Sequence, residues 1–199
     1  MLSVYIHIPF CNHICSYCDF PKLLYDKNYI NNYLDSLEQE IKERYHNELI
    51  DTIYIGGGTP TSLSDEELTK LLNILTIFKT KDSLEYTIES NIESLTLSKI
   101  KILKQYNINR VSLGVQSFNP NTLKYLNRYH TKDQVIEVIN NLKNNDITNI
   151  NIDLIYATNN DINEVKEDLN TFLSLDIPHL SYYSLIIEDN TILKINNTN

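Results

Sequence analysis

The chain has 199 residues but only three cysteines, four glycines and one methionine, and no tryptophan at all. The three cysteines fall within eight positions, an odd and clustered set that excludes a disulfide framework and reads as a metal or cluster site. Basic residues are also short, 17 against 26 acidic, for a formal charge of −9. Binding to duplex nucleic acid draws its affinity from Lys and Arg on phosphates, so that function class is disfavoured. No apolar run approaches the length of a membrane span, and the N-terminus lacks a signal-peptide pattern, since Leu2 to Ile8 reads as a strand. The expected address is the cytoplasm. No linker, low-complexity tract or sequence repeat interrupts the chain, so we expect one domain over residues 1–190 followed by a weakly patterned tail over 191–199.

What is present is an alternation of strand-like and helix-like patterns from end to end. Strands are expected at 3–9, 51–55, 84–89, 108–115, 149–156 and 179–187, with helices at about 28–47, 64–78, 97–106, 121–126, 131–144 and 163–175. Ser64 with Glu67 and Thr131 with Gln134 form capping-box pairs that open two of the helices. Strands joined by helices run parallel with right-handed crossovers, which leaves a doubly wound sheet or a barrel. In such folds ligands sit at the carboxyl ends of the strands. The unusual residues fall there: the cysteines after strand one, a glycine run after strand two, Glu89-Ser90-Asn91 after strand three, Gln116 after strand four, and Asp153 late in strand five.

Cys11-Asn12-His13-Ile14-Cys15-Ser16-Tyr17-Cys18 is a C-x-x-x-C-x-x-C loop. Electron-transfer clusters of the [4Fe-4S] type use four thiolates, so three leave one iron without a protein ligand. An open position lets a small molecule bind the metal directly. The amino and carboxylate groups of S-adenosylmethionine suit that iron, and an electron from the cluster can then cleave the sulfonium bond to a 5′-deoxyadenosyl radical. The same spacing also admits a structural zinc site of three cysteines and one histidine, His7 or His13. Gly56-Gly57-Gly58-Thr59-Pro60 lacks the Gly-Lys-Ser/Thr of a phosphate loop and the third spaced glycine of a dinucleotide site. Its bare backbone allows close approach and can bond a polar ligand. Glu89, Gln116, Arg128 and Asp153 are suited to holding a zwitterion and a ribose. Taken singly, each is more often a solvated or salt-bridged residue, and only their shared placement at strand ends lifts them above that. Tyr5 and Tyr17 flank the cysteines and can pack beside them.

These motifs together resemble one family of radical S-adenosylmethionine proteins, that of the oxygen-independent coproporphyrinogen III oxidases and the HemW-type heme chaperones. The resemblance runs from Tyr5-Ile6-His7-Ile8-Pro9-Phe10-Cys11 and Cys18-Asp19-Phe20 through Tyr54-Ile55-Gly56-Gly57-Gly58-Thr59-Pro60-Thr61 and Thr87-Ile88-Glu89-Ser90-Asn91. It continues in Asn109-Arg110-Val111-Ser112-Leu113-Gly114-Val115-Gln116-Ser117-Phe118-Asn119, Leu126-Asn127-Arg128-Tyr129-His130 and Asn151-Ile152-Asp153-Leu154-Ile155-Tyr156. It implies an α/β fold, the partial (β/α)6 barrel of the radical SAM core, with Cys11, Cys15 and Cys18 as ligands of a [4Fe-4S] cluster. It further implies that Tyr5, Gly57, Gly58, Thr59, Glu89, Gln116, Arg128 and Asp153 contact S-adenosyl-L-methionine, with Tyr17 as an aromatic neighbour. Asp19 follows Cys18 where the oxidases carry a further cysteine, and the first strand starts without their longer N-terminal arm. Both features resemble the chaperone branch, which implies heme binding and transfer to an acceptor protein, with an electron donor such as flavodoxin or ferredoxin. The oxidase activity of porphyrin biosynthesis, and an inactive remnant or zinc-binding structural protein, are the alternatives.

The sequence also departs from that family. Asn91-Ile92 stands where Asn-Pro is usual, and 157–161 replace a Gly-Leu-Pro-Gly-Gln-Thr-like segment. Asn107, and Asn145 or Asp146, take the places of helix-ending glycines, an exchange the left-handed tolerance of Asn makes mild. The family's C-terminal region, with its His-Asn-x-x-Tyr-Trp element, is missing from the sequence.

Overall fold

Isoleucine, valine and leucine alternate with polar residues in most of the strand segments, and that period of two decides which side chains face the helices and which face inward. The computed structural model describes residues 1–159 and 161–197; Asn160 of the loop after the fifth expected strand, and Thr198 and Asn199 of the tail, lie outside them. In chain order the elements are β1 Ser3–Ile8, β2 Phe10–Cys11, β3 Leu23–Leu24, α1 Lys27–Arg44, β4 Leu49–Gly57, a 3-10 turn Pro60–Ser62, α2 Asp65–Leu75 and β5 Lys79–Asn91. They continue with α3 Leu97–Gln105, β6 Arg110–Gln116, α4 Pro120–Tyr125, α5 Lys132–Lys143, β7 Asn149–Tyr156, α6 Ile162–Ser174, β8 His179–Ser184 and α7 Ile192–Asn197.

Six strands form one parallel sheet in the order β1-β4-β5-β6-β7-β8. The order never reverses, so there is no switch point, and the doubly wound alternative falls away in favour of the singly wound, barrel-like arrangement. Among the described residues β1 and β8 do not pair with each other, and the barrel stays open. On the outer face Ile53, Ile55, Ile88, Val111, Leu113, Ile150, Ile152 and Leu154 are buried against Leu34, Leu68, Leu71, Leu72, Ile100, Leu103, Val135, Ile139 and Leu142. The inward positions of the same strands are Tyr54, Glu89, Ser112, Gly114, Asp153, Ser181 and Tyr183, and these line a cavity.

The helix starts are built as their sequences dictate. Ser64 accepts from the Glu67 amide at 3.2 Å while Glu67 accepts from the Ser64 amide at 2.8 Å, and Thr131 and Gln134 make the same reciprocal pair. Helix ends use left-handed residues: Asn107 at φ 60° and Asp146, rather than Asn145, at φ 57°. Ala157, where a glycine is usual in the family resembled, also takes φ 61°. The segment expected as a weakly patterned tail contains a short helix, docked by a bond from the Leu193 amide to the Ser16 carbonyl at 2.9 Å. No helix among the described residues is long and apolar enough to cross a membrane.

Candidate functional site

The cysteine loop is framed by short-range backbone pairing. Phe10–Cys11 and Leu23–Leu24 form a two-stranded parallel ribbon that returns the chain to its starting point. Cys11 therefore lies in a strand of its own, which its neighbours in sequence do not announce. The ribbon is pinned to the glycine run, with Gly58 N donating to Ile8 O at 2.9 Å and Thr59 N to Phe10 O at 2.8 Å. On its other side the loop rests on the segment after α4. There Ser16 N reaches Leu126 O at 3.2 Å, Ser16 Oγ reaches Tyr125 O at 2.8 Å and Asn127 Nδ2 reaches Ile14 O at 2.9 Å.

One cavity of about 740 Å³ opens at the carboxyl ends of the strands. Cys11, Cys15, Tyr17, Cys18, Gly57, Gly58, Thr59, Glu89, Gln116, Arg128 and Asp153 all line it. Tyr5 does not: it lies exposed on the edge strand, hydrogen-bonded to His7 Nδ1 at 3.1 Å. The glycines make room mainly for the protein itself. A Cβ on Gly56 would stand 2.8 Å from the Glu89 carboxyl carbon, one on Gly57 2.6 Å from the His7 ring, and one on Gly58 2.7 Å from the Pro9 carbonyl oxygen. Gly57, at φ +116°, also needs its freedom of backbone.

The wall carries two buried carboxylates. Glu89 accepts from Tyr54 OH at 2.7 Å and from Gly57 N at 3.0 Å; Asp153 accepts from Ser112 Oγ at 3.2 Å and Asn151 Nδ2 at 2.9 Å. Burial holds both above the ordinary carboxylate range despite these bonds. Gln116 ends β6 in the left-handed region at φ 72°, an outlier for a residue with a side chain, and accepts from Tyr183 OH at 3.3 Å. Gly114 lets that side chain lie where it does, since a Cβ there would meet Gln116 Nε2 at 2.8 Å.

Arg128 is buried beside Cys15. Its Nη2 donates to Gly114 O at 2.6 Å and faces Glu93 Oε2 at 3.4 Å, its Nη1 is 3.6 Å from Cys15 Sγ, and its Nε has no partner among the described residues. Burial would raise the Glu93 carboxyl, but the bond from His130 and the Arg128 charge override it and hold it at about 2. Burial likewise works to raise the Cys15 thiol, yet His13 at 3.8 Å and Arg128 bring it below its ordinary value. Cys11 and Cys18 are pushed up by burial. Sequence reasoning missed Glu93, which has no motif around it, and Tyr54, Ser112 and Tyr183, which the period of two on each strand could have placed on the inner face.

The donor set suits a cluster. Three thiols share one cavity, those of Cys15 and Cys18 act electrostatically on Cys11, the Cys15 thiol is brought below its ordinary value by His13 and Arg128, and the buried Arg128 Nε has no partner among the described residues. A tetrahedral zinc site would need four donors converging on one ion. No group of three or more His, Cys, Asp or Glu side chains among the described residues makes such a set, and His7 turns both ring nitrogens to Tyr5 and to the Pro21 carbonyl. A cuboidal cluster spreads its thiolates over different irons and needs no such convergence.

Comparison with known proteins gives the family. Residues 5–170 match the model of the radical SAM superfamily. The chain is 45% identical over 192 residues to the heme chaperone HemW of Lactococcus lactis, covering 96% of this chain and 50% of that protein. It is 39% identical to HemW of Bacillus subtilis, covering 96% and 52%. It is 33% identical over 161 residues to the oxygen-independent coproporphyrinogen III oxidase of Salmonella typhimurium, covering 78% and 35%. The solved structure of coproporphyrinogen III oxidase HemN from Escherichia coli, a radical SAM enzyme, superposes with a TM-score of 0.89 at 28% identity over 98% of this chain and 46% of that one. The chain spans about half the length of the curated HemW relatives it matches.

Proposed function

Because the chain belongs to the radical SAM superfamily, for which a [4Fe-4S] cluster and S-adenosylmethionine are the implied cofactors, we propose that it is the core of a HemW-like heme chaperone. Cys11, Cys15 and Cys18 hold the cluster, and S-adenosylmethionine occupies the cavity beside it. When bound, this pair supplies one-electron reductive chemistry. Everything else is done by the chain. Arg128 presents a donor fork toward the carboxylate, Glu89 and Asp153 accept from ribose hydroxyls or an ammonium, and Gln116 and the Gly57-Gly58-Thr59 backbone supply further polar contacts. Tyr17 stands as an aromatic neighbour, and Tyr5 acts from outside the cavity, through His7 and Tyr54, whose rings lie 6.0 and 6.1 Å away.

The observation that carries the chaperone reading is one part of the cavity lining. Asp19 and Phe20, which follow Cys18, line the cavity together with Pro21, Leu185 and Ile186. Phe20 and Ile186 are exposed, an apolar surface suited to a flat macrocycle, and no thiol stands after the third cysteine. The identity to HemW proteins supports the same branch. The protein then passes heme to an acceptor protein, takes electrons from a flavodoxin or ferredoxin, and works in the cytoplasm.

Anaerobic reconstitution followed by iron counting tests the core, with about four irons expected. Heme titration of the cluster-loaded protein tests the chaperone reading, with a saturable Soret change expected. Absence of that change, together with measured conversion of coproporphyrinogen to protoporphyrinogen, would replace it with the oxidase reading.

A further inference from the structure

Arg128 poses a problem that its own contacts do not solve. A guanidinium only 6% exposed must be balanced by a negative group and held by hydrogen bonds, or it swings out to water. Gly114 O supplies a bond without charge. The balancing carboxylate is Glu93, in the loop after β5, and it is itself fixed from behind. Its Oε1 lies 3.2 Å from His130 Nδ1 and 3.3 Å from the Tyr129 amide, while its Oε2 faces Arg128 at 3.4 Å. His130 is buried, and its Nε2 has no partner among the described residues, which leaves the contact of Nδ1 with Glu93 as the polar bond that orients the ring. The guanidinium is thereby clamped between the end of β5, the middle of β6 and the cysteine loop.

We infer that Glu93, oriented by His130, is a positioning residue that holds the Arg128 guanidinium against Cys15 and the cavity where S-adenosylmethionine binds. The inference rests on the cofactor reading above for its consequence, and on geometry alone for the clamp. Neither Glu93 nor His130 lines the cavity, so neither touches what binds there.

Glu93→Gln tests it. The amide keeps an acceptor for His130 and the Tyr129 amide but turns an N–H toward Arg128, donor against donor, and removes the charge. The first readout needs no cofactor. The chain has only Arg44, Arg110 and Arg128 as arginines, so side-chain 15N NMR of the metal-free protein resolves them. Arg128 should show slow rotation and slow Nε–H exchange in the wild type, and should become averaged like exposed Arg44 in Glu93→Gln. The second readout is S-adenosylmethionine affinity of the cluster-loaded protein by anaerobic titration, expected to fall about tenfold with iron content unchanged. Arg128→Lys should weaken it similarly, and the double variant should lose little more than either single one. An unchanged Arg128 spectrum in Glu93→Gln, or full additivity in the double variant, overturns the proposal. A wild type that shows the restricted Arg128 signal yet binds neither iron nor S-adenosylmethionine would instead remove the cofactor reading and leave the clamp standing.

Discussion

Gly58→Ala and Gly56→Ala change residues two positions apart by one methyl group each, and the structure assigns them different failures. A Cβ on Gly58 would meet Pro9 O at 2.7 Å, Pro9 C at 2.8 Å and Phe10 O at 2.9 Å, all backbone atoms. Those carbonyls are already committed, Pro9 O to the Leu23 amide at 2.7 Å and Phe10 O to the Thr59 amide at 2.8 Å and Ser62 Oγ at 3.0 Å. Relief requires moving the ribbon strand that carries Cys11. Overpacking of this kind costs about 1–3 kcal/mol, and at about 2–4 °C per kcal/mol for a chain of this size the midpoint should drop by roughly 2–12 °C. A Cβ on Gly56 instead meets Glu89 and Tyr54 side-chain atoms, the nearest at 2.8 Å, and leaves the cysteine loop alone. The assay is thermal unfolding paired with iron content after anaerobic reconstitution. Gly58→Ala should lose both stability and iron. Gly56→Ala should keep its iron and lose affinity for S-adenosylmethionine through the displaced Glu89. If Gly58→Ala loads iron as fully as wild type at an unchanged midpoint, the glycine run does not set the cysteine geometry and the reasoning is wrong.

Ala157→Gly should stabilise the protein. The left-handed conformation costs an alanine about 1–2 kcal/mol, glycine gives back about 0.4–1 kcal/mol in unfolded-state entropy, and the net gain should raise the melting midpoint by up to about 6 °C; a lower midpoint would count against the strain. Glu89 is held above the ordinary carboxylate range by burial, so the folded state keeps its proton longer than the unfolded chain does. Stability should therefore fall as pH rises from the ordinary glutamate value through the raised one. The difference in urea midpoint between wild type and Glu89→Gln across that window should show this slope, and parallel curves would contradict it. Lys99 is buried and its Nζ donates to Thr61 O at 2.6 Å and Ser94 O at 3.2 Å, tying the turn after the glycine run to the loop after β5. Lys99→Met strands both carbonyls and should cost about 1–3 kcal/mol, read as a lower urea midpoint at unchanged m-value.

The six strands were legible because each parallel strand buries its apolar set against helices, and in β7 the alternation of Ile150, Ile152 and Leu154 against Asn151 and Asp153 runs until Ile155 breaks it. The boundaries were less so. β5 reaches from Lys79 to Asn91, well before the expected start at 84, because the chain pairs Leu49 and Ile50 with Lys79 and Thr80 across a register shift; pairing between distant backbones leaves no periodic mark on 79–83. The ribbon of β2 and β3 has two residues in each strand, too few for any period. At the site, the strand-end residues could be read from position alone. Glu93 and the bonds between the cysteine loop and the segment after α4 could not, because they depend on where loops meet in space. His13, which the spacing offered as a zinc ligand, is half-buried, 3.8 Å from Cys15 Sγ and edge-on to Tyr129 at 5.4 Å.

Those last bonds bear on the timing of synthesis. Cys15 and Arg128 are separated by 113 residues, so at about 5–20 residues per second the thiols leave the ribosome roughly 5–20 s before the residues that shape their loop exist. For that interval the contacts from Tyr125, Leu126, Asn127 and Arg128 that hold the Cys15 side of the loop cannot form. On the cluster reading proposed above, assembly is expected to follow translation of β6 and α4, and thiol labelling of ribosome-bound nascent chains should find Cys15 open until Arg128 has emerged.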